Sequence, residues 1–351
     1  MQRGAIPRES AQNADQYKIT GGDAMLFKCK NCGGNVVYEP NKGVMCCPHC
    51  GGRDSEDRID NSSMTQCVNC GAPIEVKDYT SACRCEHCGS YLVLNERVEG
   101  VYEPHLILPF CICKEAAIGS LEWEFSNRLF TPSDFMSAKS LEKMEGIYVP
   151  FWLYDYQADY DYAGEGIKVR RWTSGDTEYT ETSYYEVLRK MEVDFDRIPV
   201  DASYAMDDSI MDLMEPYDYR SLKDFEPKYM SGFYGEIYNQ SAPELEGRAQ
   251  VKARTSSQEM MQATFGGYDR MRPFRNDLNL SRNGIHYALM PVWQYLYHYK
   301  GQTYQYHVNG QTGKVIGKTP VSKAKVFSYA ASVLAAVTAA GYMLVWALEI
   351  L

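Results

Sequence analysis

The cysteines of this chain form a pattern that occurs twice. In each copy, a CxxC pair is followed by fourteen residues and a second CxxC pair, and the second copy lies 38 residues after the first. Four thiolates at this spacing are typical of a closed, tetrahedral, structural zinc site. The sequence therefore predicts two zinc ribbons, each of which binds one structural Zn²⁺. The eight predicted ligands are Cys29, Cys32, Cys47, Cys50, Cys67, Cys70, Cys85 and Cys88.

Two more cysteines and two histidines lie among these ligands. Cys46 and Cys83 do not recur in the 38-residue register, so we expect them to be strand neighbours of the second CxxC pairs. His49 and His87 do recur, each inside a second CxxC pair. A side chain between two ligand cysteines usually points outward, and we therefore interpret both histidines as exposed residues that do not bind the metal.

Cysteine placement and charge limit the protein classes that remain. Ten of the twelve cysteines lie between Cys29 and Cys88, and the first 24 residues contain no apolar leader segment, which favours metal binding in a reducing compartment over a disulfide scaffold. The chain has a net charge of −10. With both metal ions bound, the ribbon region would have a charge of about −5, which is unfavourable for phosphate binding. Nucleic acid is therefore a poor expected partner, and protein is a better one.

The C-terminal segment has the composition of a membrane span. Residues 326–347 contain no charged side chain, and as a helix they would extend about 33 Å, which is the thickness of a bilayer core. We predict a single transmembrane helix over 326–348 in a tail-anchored protein of the cell membrane. The positive-inside rule places the N-terminal domains in the cytoplasm, because four lysines precede the helix: Lys314, Lys318, Lys323 and Lys325.

The same helix contains small residues that recur every fourth position. Ser332, Ala336 and Ala340 would form one stripe along it, and such stripes allow helices to approach closely. The sequence therefore leaves open whether the protein forms a homo-oligomer through its anchor helix.

The segment between the ribbons and the anchor is rich in tyrosine and is predicted to fold as an α+β body. The motif Pro-φ-Trp-x-Tyr-x-Tyr, in which φ is apolar, occurs within 148–156 and again within 289–297, each time as an alternating, strand-like run. A helical stretch precedes each copy, at 114–130 and at 243–264. These matches predict an internal repeat of helix followed by antiparallel strands.

The predicted fold class is therefore α+β, with two N-terminal four-cysteine zinc ribbons, a Tyr-rich body and one C-terminal transmembrane helix. We divide the chain into a disordered N-terminal segment, the first ribbon, the second ribbon, the body and the span. Their ranges are 1–24, 25–60, 61–97, 98–320 and 326–348, and the two units of the repeat within the body cover 105–200 and 201–320.

Catalytic motifs do not stand out in this sequence. The run 313–319 has the composition of a phosphate loop, but its glycines are one residue too close together and a proline follows it. Cys111 and Cys113 lie in the strand-like run LILPFCICKE, and we interpret them as small apolar residues. The four remaining histidines lie in or near predicted strands, and we expect them to be structural: His105, His286, His298 and His307.

With these motifs identified, the chain resembles a family of bacterial membrane proteins that have N-terminal TFIIB-type zinc ribbons and are often labelled as relatives of the primosomal helicase. The resemblance rests on the CxxC pairs, on GxYxPFWLYD at 146–155, on FYGExY at 233–238 and on LMPVW with NGQTGKVIG. The chain departs from the family at Cys111 and Cys113, which are not part of the family's set of metal ligands. The resemblance implies no helicase motor and no catalysis, and it implies envelope-stress partners similar to phage-shock protein A and to flotillin-like SPFH proteins.

The sequence as a whole therefore predicts a non-enzymatic adaptor at the membrane, which docks or organises partner proteins in envelope stress. The alternative is a membrane-tethered regulator that binds nucleic acid through its ribbons. An enzyme is a third possibility, and it would require a cavity in the body where Asp, His and Tyr side chains converge.

Overall fold

The computed structural model describes residues 23–61, 65–132, 135 and 143–350 of the chain. These residues form a mixed α+β structure with two four-cysteine clusters near the N-terminus and one apolar helix at the C-terminal end, which confirms the predicted fold class. The predicted disorder of residues 1–24 lies outside the described residues, apart from its last two positions. Ala24 is fully buried and begins the first strand.

Short strands form the N-terminal region, and long strands form the body. The first six strands are β1 Ala24–Cys29, β2 Val37–Glu39, β3 Val44–Cys46, β4 Glu56–Asn61, β5 Thr80–Arg84 and β6 Tyr91–Leu94. The body contains β7 Leu106–Ile107, α1 Lys114–Ser126, β8 Glu145–Ser174, β9 Thr177–Asp201, α2 Asp208–Met214, β10 Lys223–Asp224, β11 Tyr234–Glu236, α3 Ala242–Ala263, β12 Arg270–Tyr299, β13 Gln302–Asn309 and β14 Val315–Gly317. The C-terminal helix is α4 Lys323–Ile350.

Two antiparallel strands of thirty residues each, β8 and β12, are the centre of the body. They pair from Glu145 opposite Gln294 to Ile167 opposite Arg270. Side chains alternate between the two faces of a strand, so the tyrosines of the first motif point to one face. There Tyr154 and Tyr156 are buried under α3, and the hydroxyl group of Tyr154 donates a hydrogen bond of 2.6 Å to the carbonyl oxygen of Ala242.

The arrangement of elements around β8 and β12 has approximate two-fold symmetry. Val149 lies opposite Met290, and these two residues occupy the same position in the two sequence motifs. Each long strand is preceded by a helix and continues into a hairpin with a second strand, β9 after β8 and β13 after β12. Helix α1 packs on β13, and helix α3 packs on β9, so each helix covers the hairpin of the other unit. The repeat stays a prediction, and this symmetry favours it.

Strands of both ribbons belong to the same sheet as the body, whereas β2 and β3 of the first ribbon pair as a separate two-stranded sheet. Strand β11 pairs with β8 on one side and with β5 on the other, and the sheet continues through β6 to β1 and β4. The first ribbon also contacts the body at Ser231, whose hydroxyl group donates to the carbonyl oxygen of Val36 at 2.6 Å. Parts of both four-cysteine regions are therefore extensions of the sheet of the body, and these regions are not modules on linkers.

One local expectation differs from the structure, and the two ribbons differ from each other at one place. The run LILPFCICKE forms a strand only at Leu106–Ile107, because Pro109 lacks an N–H group and interrupts the ladder. In the second ribbon, residues 73–77 do not form the strand that the first ribbon has at Val37–Glu39. The strand after them, β5, pairs with β6 and β11 instead, so it is committed to the main sheet.

Helix α4 leaves the body and is exposed from Val326 to Met343. Within the described part of the chain, its segment Lys323–Met343 is the helix long and apolar enough to cross a membrane, with a mean hydropathy of 1.5 and no burial against the body. The base of the helix is held by Lys325, whose ammonium group donates to the carbonyl oxygen of Thr131 at 2.7 Å. Tyr329 packs edge-on against Phe130 in the next turn.

Candidate metal centres and the distal hairpin

The first group of four cysteines brings its predicted residues to one point. The Sγ atoms of Cys29 and Cys50 are 3.6 Å apart, and those of Cys32 and Cys47 are 3.5 Å apart. All four sulfurs lie within 4.8 Å of one another. Four sulfurs bound tetrahedrally at ~2.3 Å from a zinc ion would be separated by about 3.8 Å. The donor set and its spacing therefore fit a tetrahedral metal ion.

The second group of four cysteines has the same geometry. The Sγ atoms of Cys67 and Cys88 are 3.6 Å apart, and those of Cys70 and Cys85 are 3.9 Å apart. Its sulfurs also lie within 4.8 Å of one another. Each group has two buried and two exposed cysteines, so both sites lie at the surface with one side against the sheet.

The backbone around the two sites repeats along with the cysteines. In the first ribbon the amide of Cys29 donates to Gly34, and 38 residues later the amide of Cys67 donates to Ala72, both at 2.8 Å. Each CxxC pair is followed by a glycine with a positive φ between 71° and 74°, a conformation that side chains disfavour. These four glycines are Gly33, Gly51, Gly71 and Gly89.

The surroundings of the sulfurs favour the thiolate form at some ligands and the thiol form at others. The amides of Asn31 and Cys32 donate to the sulfur of Cys29 and lower its pKa to about 6. At Cys88, burial raises the pKa, but hydrogen bonds from the side chain and the backbone of Ser90 outweigh it and lower the pKa to about 6. The pKa is raised at four other ligands, which are Cys32, Cys50, Cys67 and Cys70. Metal binding requires thiolates, so each site has at least one ligand that its hydrogen bonds prepare for the metal, and the ligands with a raised pKa would lose their protons on binding it.

Polar side chains around the sulfurs support the ligands, and the cysteine spacing alone did not predict them. The side-chain amide of Asn69 donates to the hydroxyl oxygen of Ser90 at 3.1 Å, and the thiol of Cys88 lies 3.3 Å from the same oxygen. In the first ribbon, the hydroxyl group of Ser55 lies 3.9 Å from the sulfur of Cys29. The one available signal was the recurrence of asparagine at positions 31 and 69 within the first CxxC pairs.

The other cysteines and the ribbon histidines lie outside the two sulfur clusters. His49 and His87 are exposed, as expected for side chains that point away from the ligands. Cys46 lies in β3 and Cys83 in β5, and both are buried. Cys111 is exposed and Cys113 is half-buried just before α1, so neither has the buried position of a core residue.

One carboxylate and one histidine of the body do come together, at a double bulge. Asp155 lies 3.1 Å from Nε2 of His286, where both neighbouring ladders shift register. The other oxygen of Asp155 accepts a 2.8 Å hydrogen bond from the amide of Arg197, which has a positive φ of 61°. Both carboxylate oxygens thus hold the bulge, which is a structural role.

The far end of the β8–β9 hairpin is an exposed aromatic surface, and we call residues 168–186 the distal hairpin. Strand β12 pairs with β8 only as far as Ile167, so the distal hairpin extends beyond it as two strands. Trp172 stacks on Tyr179 at 5.5 Å, and the guanidinium group of Arg170 lies over Trp172. The exposed fractions of its aromatic residues range from 41% at Trp172 to 61% at Tyr184.

Comparison with known proteins finds a relative in Bacillus subtilis, the uncharacterized protein YdjG. The two are 37% identical over 314 residues, which cover 86% of this chain and 92% of the relative. No protein-family model matches the chain, and no solved structure matches it. Because the match to YdjG extends over most of both proteins, the chain belongs to the family of this Bacillus subtilis protein.

Proposed function

We propose that the protein is a membrane-anchored adaptor, in which two zinc ions stabilise one end of a long sheet and the distal hairpin docks a protein partner. The observation that carries this proposal is the exposed aromatic surface of the distal hairpin. Aromatic and arginine side chains are enriched in protein interfaces and dominate their energetics. The distal hairpin presents both side by side, as Arg170 over Trp172.

Zinc is the metal that best suits the two sulfur clusters. Thiolate ligands select soft or borderline ions, and four of them in a closed tetrahedron are typical of structural zinc. The residues that would hold the two ions are the eight predicted cysteines. A site with four protein ligands has no position for a substrate, so the metal would stabilise the ribbons, and a bound water as a nucleophile is not part of the proposal.

The anchor would be helix α4, with the ribbons and the body in the cytoplasm. Support comes from its exposed apolar surface and from the lysines at its start, which the positive-inside rule assigns to the cytoplasmic side. The cytoplasm keeps thiols reduced and available for metal. The orientation and the metal chemistry therefore favour the same compartment.

The partner would be another protein at the same membrane. A shared membrane surface raises the effective concentration of two binding partners, so a weak contact can be sufficient. The family resemblance favours membrane-organising stress proteins, similar to phage-shock protein A or to SPFH proteins, as partners. The distal hairpin has three basic and four acidic residues, so its recognition would rest mainly on aromatic contacts.

Nucleic acid is the second candidate partner, and one feature favours it. Lys168, Arg170 and Arg171 lie beside Trp172, a combination that can hold single-stranded nucleic acid by charge and stacking. The acidic residues of the same hairpin oppose this, as does the net charge of −10. Binding of full-length protein to single-stranded oligonucleotides at several salt concentrations separates the two candidates, because a phosphate contact weakens steeply with salt.

Site-specific crosslinking tests the adaptor proposal. A photoreactive amino acid at position 184 should crosslink one dominant membrane-associated protein in intact cells, identified by mass spectrometry. The variant Trp172→Ala/Tyr179→Ala should reduce that crosslink at least about fivefold, because two central interface aromatics together contribute several kcal/mol.

The matched control is Trp123→Ala/Tyr204→Ala, which removes two aromatic side chains that are 68% and 70% exposed outside the distal hairpin. This control should keep the crosslink. An unchanged crosslink in the distal-hairpin variant, or an equal loss in the control, would contradict docking at the distal hairpin.

A further inference from the structure

An open groove of about 790 Å³ lies beside the base of helix α4. It is bounded by the turn between β12 and β13 on one side and by the first turn of α4 on the other. We call it the basal groove. Its described lining includes Tyr299, Lys300, Tyr304, Ser322, Lys323 and Lys325.

The basal groove is cationic in a chain that is acidic overall. Lys300, Lys323 and Lys325 line it, and its described lining contains no carboxylate. The ammonium group of Lys325 contacts the carbonyl oxygen of Thr131 at 2.7 Å, and that of Lys300 lies 4.7 Å from the centre of the Tyr299 ring. These two contacts hold the two ammonium groups at the groove.

Two further features of the groove attract an anion. The first turn of α4 begins there, and the amide of Lys325 approaches the hydroxyl group of Ser322 at 3.3 Å. The other amides of a first helical turn carry a partial positive charge and favour anions. Tyr299 and Tyr304 add aromatic rings with a polar edge, which suit the boundary between water and lipid where an anionic headgroup would lie, and the hydroxyl group of Tyr304 donates to the side-chain oxygen of Gln302 at 2.9 Å.

The location of the groove identifies the source of the anion. The apolar surface of α4 begins in the same helical turns that line the groove, with Phe327 77% exposed. A helix inserted from Val326 onward would place the groove at the level of the lipid headgroups. A ligand there would have its negative charge in the groove and its acyl chains along α4.

We propose that the basal groove binds the phosphate of an anionic phospholipid. This inference rests on the proposed insertion of α4 into the membrane. The shared chemistry is a phosphate group, which a lipid headgroup or a free phosphate ion could each supply, and the headgroup is favoured because the apolar helix adjoins the groove. Each lysine near a membrane surface contributes about 1 kcal/mol toward an anionic lipid.

The test uses full-length protein in nanodiscs that contain equal amounts of phosphatidylglycerol and phosphatidylcholine. Native mass spectrometry then counts the lipids that stay bound to the released protein. We expect phosphatidylglycerol adducts to exceed phosphatidylcholine adducts at least about tenfold. In the variant Lys300→Gln/Lys323→Gln/Lys325→Gln, the ratio should fall to about one.

The matched control is Lys168→Gln/Arg170→Gln/Arg171→Gln, which removes three positive charges from the distal hairpin. It changes the net charge by the same amount and should keep the wild-type lipid ratio. Retention of the preference in the groove variant, or its equal loss in the control, would overturn the proposal. So would a free phosphate adduct in pure phosphatidylcholine discs that depends on the same three lysines.

Failure of the anchor gives a different result from failure of the lipid site. Wild-type protein that does not enter the nanodiscs at all would contradict the membrane insertion of α4 and, with it, this inference. Protein that enters the discs but shows no lipid preference would contradict the lipid site alone.

Discussion

Each metal site depends on residues that are close together in the sequence. The outermost ligands of the first site, Cys29 and Cys50, are only 21 residues apart, and the same separation holds for Cys67 and Cys88. Spacing therefore predicted all eight residues that the structure brings together. It did not predict Ser55 and Ser90, because a hydroxyl group near a sulfur has no fixed spacing from it. Contacts between a hydroxyl group and a ligand sulfur depend on how the loop closes.

Removing two ligands of one site tests the metal stoichiometry. The variant Cys85→Ser/Cys88→Ser should bind one zinc ion per chain where the wild type binds two, as measured by elemental mass spectrometry. Its thermal midpoint should fall by at least about 5 °C, because the second site supports β5, which pairs with the body through β11.

The matched control for this variant is Cys46→Ala/Cys83→Ala. It removes two buried cysteines that lie in the neighbouring strands but outside the sulfur clusters. It should keep two zinc ions per chain. A wild-type protein with fewer than two zinc ions, or a ligand variant that keeps both, would contradict the assignment.

At the scale of elements, charged groups dock helices α2 and α3 onto the end of β9. Arg248 of α3 contacts the carboxylates of Asp201, Asp208 and Asp212 at 3.0 to 3.3 Å. Asp201 is fully buried, and burial raises its pKa to about 6 although Arg248 opposes the change. A carboxylate whose pKa is raised on folding destabilises the native state wherever it is ionised.

The pH dependence of stability should reveal this buried group. The pKa of Asp201 in the folded protein lies above its value in the unfolded chain, so its ionisation opposes folding above pH 6, and this penalty diminishes as the pH falls toward 4. Between pH 7 and pH 5, the free energy of unfolding should rise by about 1 kcal/mol in the wild type relative to Asp201→Asn.

Denaturant unfolding of the full-length protein in detergent measures this difference. The control Asp194→Asn changes an exposed aspartate on the same strand and should follow the wild-type pH dependence. If the free energy of unfolding changes with pH in the same way in the wild type and in Asp201→Asn, the raised pKa assigned to Asp201 is contradicted.

The elements themselves were only partly predictable. Alternating tyrosines indicated strands at both motifs, and helices do precede both long strands. The length of those strands could not be inferred, since a strand ends where its partner ends and average strands have about 5–6 residues. Strands β8 and β12 reach thirty residues because each provides hydrogen-bond partners for the backbone of the other over most of its length.

At the scale of the whole molecule, one sheet connects the metal sites to the body and to the distal hairpin. The ribbon strands reach β8 through β11, which pairs with β8 at Ile147 and Tyr148, and the distal hairpin lies at the other end of β8. At ~3.3 Å per residue, the contour of β8 is about 95 Å. The sequence did not reveal this continuity, because the connecting strand β11 has only three residues and pairs with partners distant in the chain.

The orientation of the molecule across the membrane can be tested at the distal hairpin. In the variant Thr177→Cys, a membrane-impermeant maleimide should label the new thiol in inverted vesicles and leave it unlabelled in intact cells, because the positive-inside rule places the body in the cytoplasm. The parental protein measures labelling of its own cysteines. Stronger labelling of Thr177→Cys in intact cells than in inverted vesicles would reverse the proposed orientation.

The three-residue strand β11 also has a consequence for the order of folding during synthesis. Each cysteine cluster closes over 21 residues, whereas the sheet joins Ala82 to Gly235, a contact more distant in the chain. Contacts between distant residues form late, since the intervening chain must first be made. We therefore expect the nascent chain to take up both metal ions before its sheet can close. Zinc supply at the ribosome would then determine how many chains complete the sheet.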